Sequence, residues 1–113
     1  QPRSRGLGDV YKRQDLADTA RRELLEETGY RAGRMDPLIA TPTSAGMSSE
    51  FTHLFHATDL VRETEGGGVA GEDITVHHIP LTKLREWLNN QQAAGKLVDF
   101  KIHAALWLAG VEA

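Results

Sequence analysis

The chain predicts an α/β domain in which a sheet is sandwiched by helices. Three observations lead there: helical segments that begin on a capping residue and end on glycine, strand-like runs of alternating large residues between them, and proline or glycine at the joints. Asp15 or Asp18 can cap a first helix with Leu16, Ala20 and Leu24 on its apolar side. That helix ends at Gly29, with Tyr30 placed to fold back beyond the cap. Leu38–Thr41 reads as a strand stopped by Pro42, and Ser44–Ser49 as a loop of small and polar residues. Phe51–Leu60 is the clearest strand, with large groups on both faces. After the glycine-rich stretch Glu65–Glu72, Ile74–Ile79 reads as a returning strand before Pro80. Thr82 can cap a helix through Leu84, Trp87 and Leu88 that stops at Gly95, and Asp99 opens a last helix containing Ile102, Ala105, Leu106 and Ala109.

Composition narrows the function classes. The chain is 40% hydrophobic and 26% charged, ordinary for a globular protein. Its formal net charge of −3 argues against broad binding of nucleic acid or anionic membrane, whose electrostatic footprint is basic. There is no cysteine, which removes disulfides and thiolate metal sites and is compatible with the cytoplasm. No apolar run approaches the length of a membrane span.

The chemistry concentrates in Arg22-Glu23-Leu24-Leu25-Glu26-Glu27-Thr28-Gly29-Tyr30. At helical spacing Glu23 and Glu27 stand at i and i+4, with Glu26 at i+3 from Glu23, so three carboxylates crowd together and repel unless a cation neutralises them. Hard divalent cations take oxygen ligands, and Mg²⁺ is usually held by a few carboxylates together with substrate phosphates. A glutamate-rich helix face is more often merely solvated, but here the flanking Arg22, Leu24, Gly29 and Tyr30 fall into a pattern. Arg-Glu-aliphatic-X-Glu-Glu-X-Gly-hydrophobic resembles the second half of the Nudix box, the signature of hydrolases that cleave nucleoside diphosphates linked to another moiety.

The resemblance implies an αβα Nudix sandwich with a mixed sheet, Mg²⁺ (with Mn²⁺ as a substitute) as cofactor, and a homodimer in the complete protein. It implies Glu23, Glu27 and Glu26 as metal ligands, with Arg22 pairing neighbouring carboxylates and holding them in place.

The first half of the box departs from the family pattern. That pattern asks for a Gly and, six residues on, a Glu; Gly8 and Gln14 fall at those positions, so an amide replaces the carboxylate. Asp9-Val10-Tyr11-Lys12-Arg13-Gln14 is what GAT GTG TAT AAG AGA CAG encodes, and the run from Ser4 to Gln14 resembles a translated sequencing adapter. Residues 1–14 are therefore expected to be non-native, and 15–113 to be a partial Nudix domain lacking its N-terminal strands. With Gln14 in place of the box Glu, this chain is expected to turn over poorly.

Downstream signals are weaker. Gly66-Gly67-Gly68 lacks the lysine of a P-loop and opens no helix, so it reads either as a flexible connection or as a catalytic loop. In ADP-ribose pyrophosphatases and related nucleotide-sugar Nudix hydrolases a loop far beyond the box carries an acidic residue to the metals. Glu72-Asp73-Ile74-Thr75-Val76 is similar to that segment, which implies Glu72 as base or metal ligand. Ser44-Ala45-Gly46 with Glu50 resembles the Ser-Pro-Gly loop of that subfamily, but Ala45 replaces the proline commonly used to assign ADP-ribose specificity. The five histidines lack the HExxH spacing that favours zinc and read as strand-face or surface residues. Trp87 and Trp107 read as core or rim packing.

The sequence thus leads to Mg²⁺-dependent hydrolysis of a nucleoside diphosphate sugar, with ADP-ribose the expected substrate, cleaved to a nucleoside monophosphate and a sugar phosphate. Metals on Glu23, Glu27 and Glu26 would neutralise the pyrophosphate and acidify a bound water, which Glu72 would orient or deprotonate. GDP-mannose or another nucleotide sugar is the near alternative. A non-catalytic Nudix-like nucleotide-binding module is the more distant one, supported by the missing box Glu.

Overall fold

The computed structural model describes residues 2–42 and 51–111, with side chains described from Asp15 onward. Among these, α1 spans Pro2–Thr28, β1 Tyr30–Pro42 and β2 Phe51–Arg62. A 3₁₀ turn at Leu81–Lys83 leads into α2 (Leu84–Ala93), and α3 follows at Phe100–Leu108. The chain divides into two compact units, one formed by Gln1–Pro37 with Ala57–Val76 and the other by Leu38–His56 with His77–Ala113. The α/β class expected from the sequence is present as helices with an antiparallel pair of strands.

In the first unit α1 is longer than the spacing of Asp15 and Asp18 suggests. It runs unbroken from Pro2, a residue suited to the first turn of a helix because that turn needs no backbone N–H. Neither aspartate caps a terminus; Asp18 lies inside the helix and pairs with Arg21 at 3.2 Å. The C-terminal end is where expected. Gly29 adopts φ +81°, and its N–H donates to the Leu25 carbonyl at 2.9 Å, a single αL-type closure of the helix. The Thr28 hydroxyl donates to the Leu24 carbonyl and accepts from the Tyr30 N–H, so the turn into β1 is tied on both sides.

β1 and β2 are the two strands of the described sheet. Both are longer than their sequence signals, β1 beginning at Tyr30 rather than Leu38 and β2 ending at Arg62 rather than Leu60. Asp59 in β2 has φ +55°, a left-handed conformation that aspartate tolerates better than most residues. Gly33 is the residue it approaches: a Cβ at Gly33 would lie 2.8 Å from the Asp59 Cβ, so the close approach requires glycine. Arg31 of β1 pairs with Glu63 just past β2.

Ile74–Ile79 is not a strand: residues 72–80 carry no regular structure. Alternation specifies how side chains would divide between two faces, but a strand also needs a neighbouring strand, and among the described residues the sheet consists of β1 and β2. The Ser44-Ala45-Gly46 loop and Glu50 lie outside the described residues.

In the second unit, Thr82 is not a cap; it sits within the 3₁₀ turn, and Lys83 precedes α2 with no side-chain capping bond. Leu88 is the buried anchor of α2, and Trp87 packs a tilted ring against His77 at 5.0 Å. Gly95 stands just beyond α2 with φ +87°. Asp99 does cap α3: its carboxylate accepts from the Lys101 N–H at 2.9 Å and from the Lys101 ammonium at 2.7 Å. Burial is thin, with Ala32 and Leu88 the buried hydrophobic residues among those described, while Phe100 and Trp107 of α3 are largely exposed.

The Asp99 cap makes α3 sensitive to acid. The side-chain bond from Lys101, then the backbone bond from the same residue, hold the Asp99 carboxyl below its ordinary value of 3.8. Its contribution is complete above that ordinary value and disappears as pH falls through the lower folded-state value. Asp99→Asn should keep much of the cap while removing this acid-dependent component, and Asp99→Ala should lose helicity at all pH values. Circular dichroism titrations between pH 6 and about 2 compare the three proteins.

Candidate active site at the end of the first helix

The last two turns of α1 carry Glu23, Glu26 and Glu27, all exposed. The peptide dipoles make a helix C-terminus the negative end, and the last turn of α1 has no basic residue to offset it. Three anionic side chains at this end oppose both one another and the helix, an arrangement relieved by a cation. Arg22 gives partial relief, its guanidinium reaching Glu26 at 4.0 Å on the exposed face.

The backbone of the same turn is covered by the glycine-rich loop. Four carbonyls at a helix C-terminus have no partner within the helix. Here the Leu25 carbonyl receives Gly29, the Glu26 carbonyl receives the Gly68 N–H at 2.8 Å, and the Glu27 carbonyl receives the Gly67 N–H at 2.7 Å. The Gly29 carbonyl in turn accepts from the Glu63 and Thr64 N–H groups. The loop therefore docks on the backbone of the acidic turn, an arrangement that spacing alone did not reveal. Its only sequence signal is the run of three glycines, which permits close approach without saying to what.

The same loop carries Glu72. Its N–H donates to the Val69 carbonyl at 3.1 Å and its carboxylate accepts from the Val69 N–H at 3.0 Å, closing a turn around Ala70 and Gly71. Gly71 has φ +94°, the positive value that the third position of a type II turn requires. The first unit thus contains Arg22, Glu23, Glu26, Glu27 and Glu72.

A divalent cation fits these donors in kind, since they are carboxylates, and in accessibility, since all are exposed. Their side chains do not converge: among the described residues no group of three acidic or histidine side chains is gathered so as to hold a metal ion. Exposed glutamates can rotate about three side-chain torsions, so the positions shown are not fixed by packing.

The histidines lie apart from this acidic turn in sequence and unit. His53 and His56 are half-buried on β2, His77 contacts Trp87, and His103 borders a cavity of about 440 Å³ with Arg85, Leu88, Asn89, Leu106, Trp107 and Val111. Trp107 is a rim residue, 83% exposed.

Comparison with known proteins gives this arrangement its family. The NUDIX domain family matches residues 7–106. The chain belongs to the Nudix family. A protein named GDP-mannose pyrophosphatase from Pectobacterium atrosepticum is 33% identical over 109 residues, covering 92% of this chain and 55% of the relative. One of the same name from Citrobacter koseri is 43% identical over 65 residues, covering 56% and 34%. A protein named methanol dehydrogenase activator from Bacillus methanolicus is 41% identical over 75 residues, covering 66% and 40%. This Nudix chain spans about half the length, or less, of the curated relatives it matches. No solved structure gives a significant match.

Proposed function

We infer that this Nudix domain hydrolyses the pyrophosphate bond of a nucleoside diphosphate sugar, releasing a nucleoside monophosphate and a sugar phosphate. The observation that carries the reading is the pairing of the acidic turn of α1 with a docked loop bearing a further carboxylate. GDP-mannose is the favoured substrate, supported by the names of the relatives and by Ala45 at the position where proline marks ADP-ribose specificity. ADP-ribose is the second reading, supported by the likeness of Ser44-Ala45-Gly46 and Glu50 to the loop of that subfamily.

Glu23, Glu27 and Glu26 would hold divalent metal, Mg²⁺ before Mn²⁺. Bound there, the metal would neutralise the negative oxygens that otherwise repel a nucleophile. Glu72 takes the proton of the attacking water, whose oxygen bonds to phosphorus as the bridging P–O bond breaks. The Val69 N–H orients this carboxylate, and a carboxylate has acceptor sites on both oxygens, so that bond leaves it able to receive the proton. Arg22 holds Glu26, keeping one of the repelling carboxylates in place.

The substrate is checked by a panel of GDP-mannose, ADP-ribose and other nucleotide sugars, read by phosphatase-coupled phosphate release. GDP-mannose should give the highest kcat/KM; a higher value for ADP-ribose reverses the order of the two readings, and no turnover of any member by the chain and by its Gln14→Glu variant alike removes the enzyme reading. Gln14→Glu, which restores the carboxylate of the first half of the box, should raise the rate.

Glu27→Gln tests the metal ligands without relying on turnover. Mg²⁺ should raise the melting temperature of the unmodified protein, because a ligand bound by the folded state stabilises it. Glu27→Gln should lose most of that rise and lower activity by orders of magnitude, since an amide supplies no negative charge. An unchanged Mg²⁺ response would return Glu27 to a solvated helix face.

Glu72→Gln should depress kcat far more than it raises KM, by the hundredfold to ten-thousandfold typical of a general base, roughly. Glu65→Gln, at the other end of the glycine-rich stretch, should be nearly silent. Equal and mild effects would move the catalytic carboxylate elsewhere, with Asp73 and Glu50 next to be substituted.

A further inference from the structure

We propose that Gly66-Gly67-Gly68 is a positioning device that holds the Glu72 loop in register against the Glu26–Glu27 turn of α1. The inference rests on the reading of Glu72 as the catalytic carboxylate and assigns to the glycines the task of placing it. Each glycine has a separate part. Gly67 and Gly68 donate their N–H groups to the Glu27 and Glu26 carbonyls, so the loop is bonded to the backbone of two of the residues that bear the acidic side chains.

Gly66 makes that approach sterically possible. It has φ +75°, its N–H bonds to the Thr64 hydroxyl, and a Cβ there would lie 2.4 Å from the Thr28 carbonyl carbon and 2.7 Å from the Glu27 oxygen. Those are backbone atoms of a helix end, which cannot swing aside as a side chain can. Gly68, at φ +85°, faces the other way: a Cβ there would meet Ile74 Cδ1 at 2.8 Å and Glu72 Cδ at 3.0 Å. One end of the run is thus fitted to the helix and the other to the Glu72 side chain. From Gly68 the path to the carboxylate is short, because Val69 and Glu72 are joined by both a backbone bond and a side-chain bond.

A flexible connection would need glycine only for its freedom, and a methyl group would then be tolerated wherever φ permits. Gly95 provides that comparison. It also has positive φ, +87°, but its added Cβ meets nothing within 4 Å. Gly95→Ala therefore imposes backbone strain like that of Gly66→Ala without touching the loop.

The test measures steady-state kinetics with a nucleotide sugar and amide hydrogen exchange at Gly67 and Gly68 in Gly66→Ala, Gly68→Ala, Glu72→Gln, Gly95→Ala and the Gly66→Ala/Glu72→Gln double variant. Gly66→Ala should lower kcat by about a hundredfold, the cost of displacing a catalytic group by about an ångström, with little change in KM. Exchange at Gly67 and Gly68 should accelerate in the same variant and stay slow in Gly95→Ala. In the Glu72→Gln background Gly66→Ala should cost little more, because a carboxylate already removed cannot be misplaced.

Where Gly66→Ala fails to fold, Gly68→Ala carries the test: the atoms nearest its methyl belong to side chains, and kcat should still fall while the melting temperature changes no more than in Gly95→Ala. Multiplying losses in the double variant, with Glu72→Gln alone severe, would overturn the positioning role and leave Glu72 catalytic. A mild Glu72→Gln would overturn the catalytic reading itself, and the positioning role with it. Fast exchange at Gly67 and Gly68 in the unmodified protein would overturn the docking contact directly.

Discussion

The unsatisfied carbonyls at the C-terminus of α1 are the constraint around which the first unit is arranged. A helix cannot satisfy its own last carbonyls, and burying or crowding them without donors is costly. Gly29 reverses the chain and satisfies one; the loop beyond β2 returns to satisfy the next two with the N–H groups of Gly67 and Gly68. The two segments also fit each other sterically, since a Cβ on Gly29 would fall 2.1 Å from the Thr64 oxygen and one on Gly66 would fall on Thr28. The acidic turn and the Glu72 loop, far apart in sequence, are in this way parts of one backbone contact.

That contact lies at a helix end that carries three glutamates in its last two turns and no basic residue in its last turn. Glu23, Glu26 and Glu27 approach the negative end of the helix, and Arg22 lies 4.0 Å from Glu26. Stability alone would place lysine or arginine in this turn. Residues that disagree locally with the fold are often those used for something else, and the proposed site for a cation and a pyrophosphate would be such a use of this turn. The exposed glutamates keep the freedom to gather around a ligand, while the docked loop keeps the turn itself fixed.

Much of this was legible beforehand because it is local. The acidic face of the first helix, its glycine stop and the Asp99 cap each depend on residues within a few positions of one another, and each stands where the spacing put it. Where the reading failed, a non-local partner or a neighbouring context was missing from it. Thr82 has the chemistry of a cap, but after Pro80 the chain enters a 3₁₀ turn before α2 begins, leaving its hydroxyl in the wrong place. Ile74–Ile79 has the alternation of a strand and, among the described residues, no strand beside it. Asp15 and Asp18 can cap, yet nothing in the residues before them stops the helix from continuing back to Pro2.

The sequence by itself determined the family, through a motif that spans the last two turns of one helix and the two residues beyond it, and it determined the kinds of groups available for chemistry. Periodicity and capping preferences are short-range, so both could be read along the chain. Only the tertiary structure decided that Gly66, Gly67 and Gly68 meet the Glu26–Glu27 turn, and that Glu72 is tied to the same loop through Val69. Glycine carries no side chain with which to announce a partner. Its use here lies in positive φ and in the absence of a Cβ, and both acquire meaning only when the helix end is brought against it.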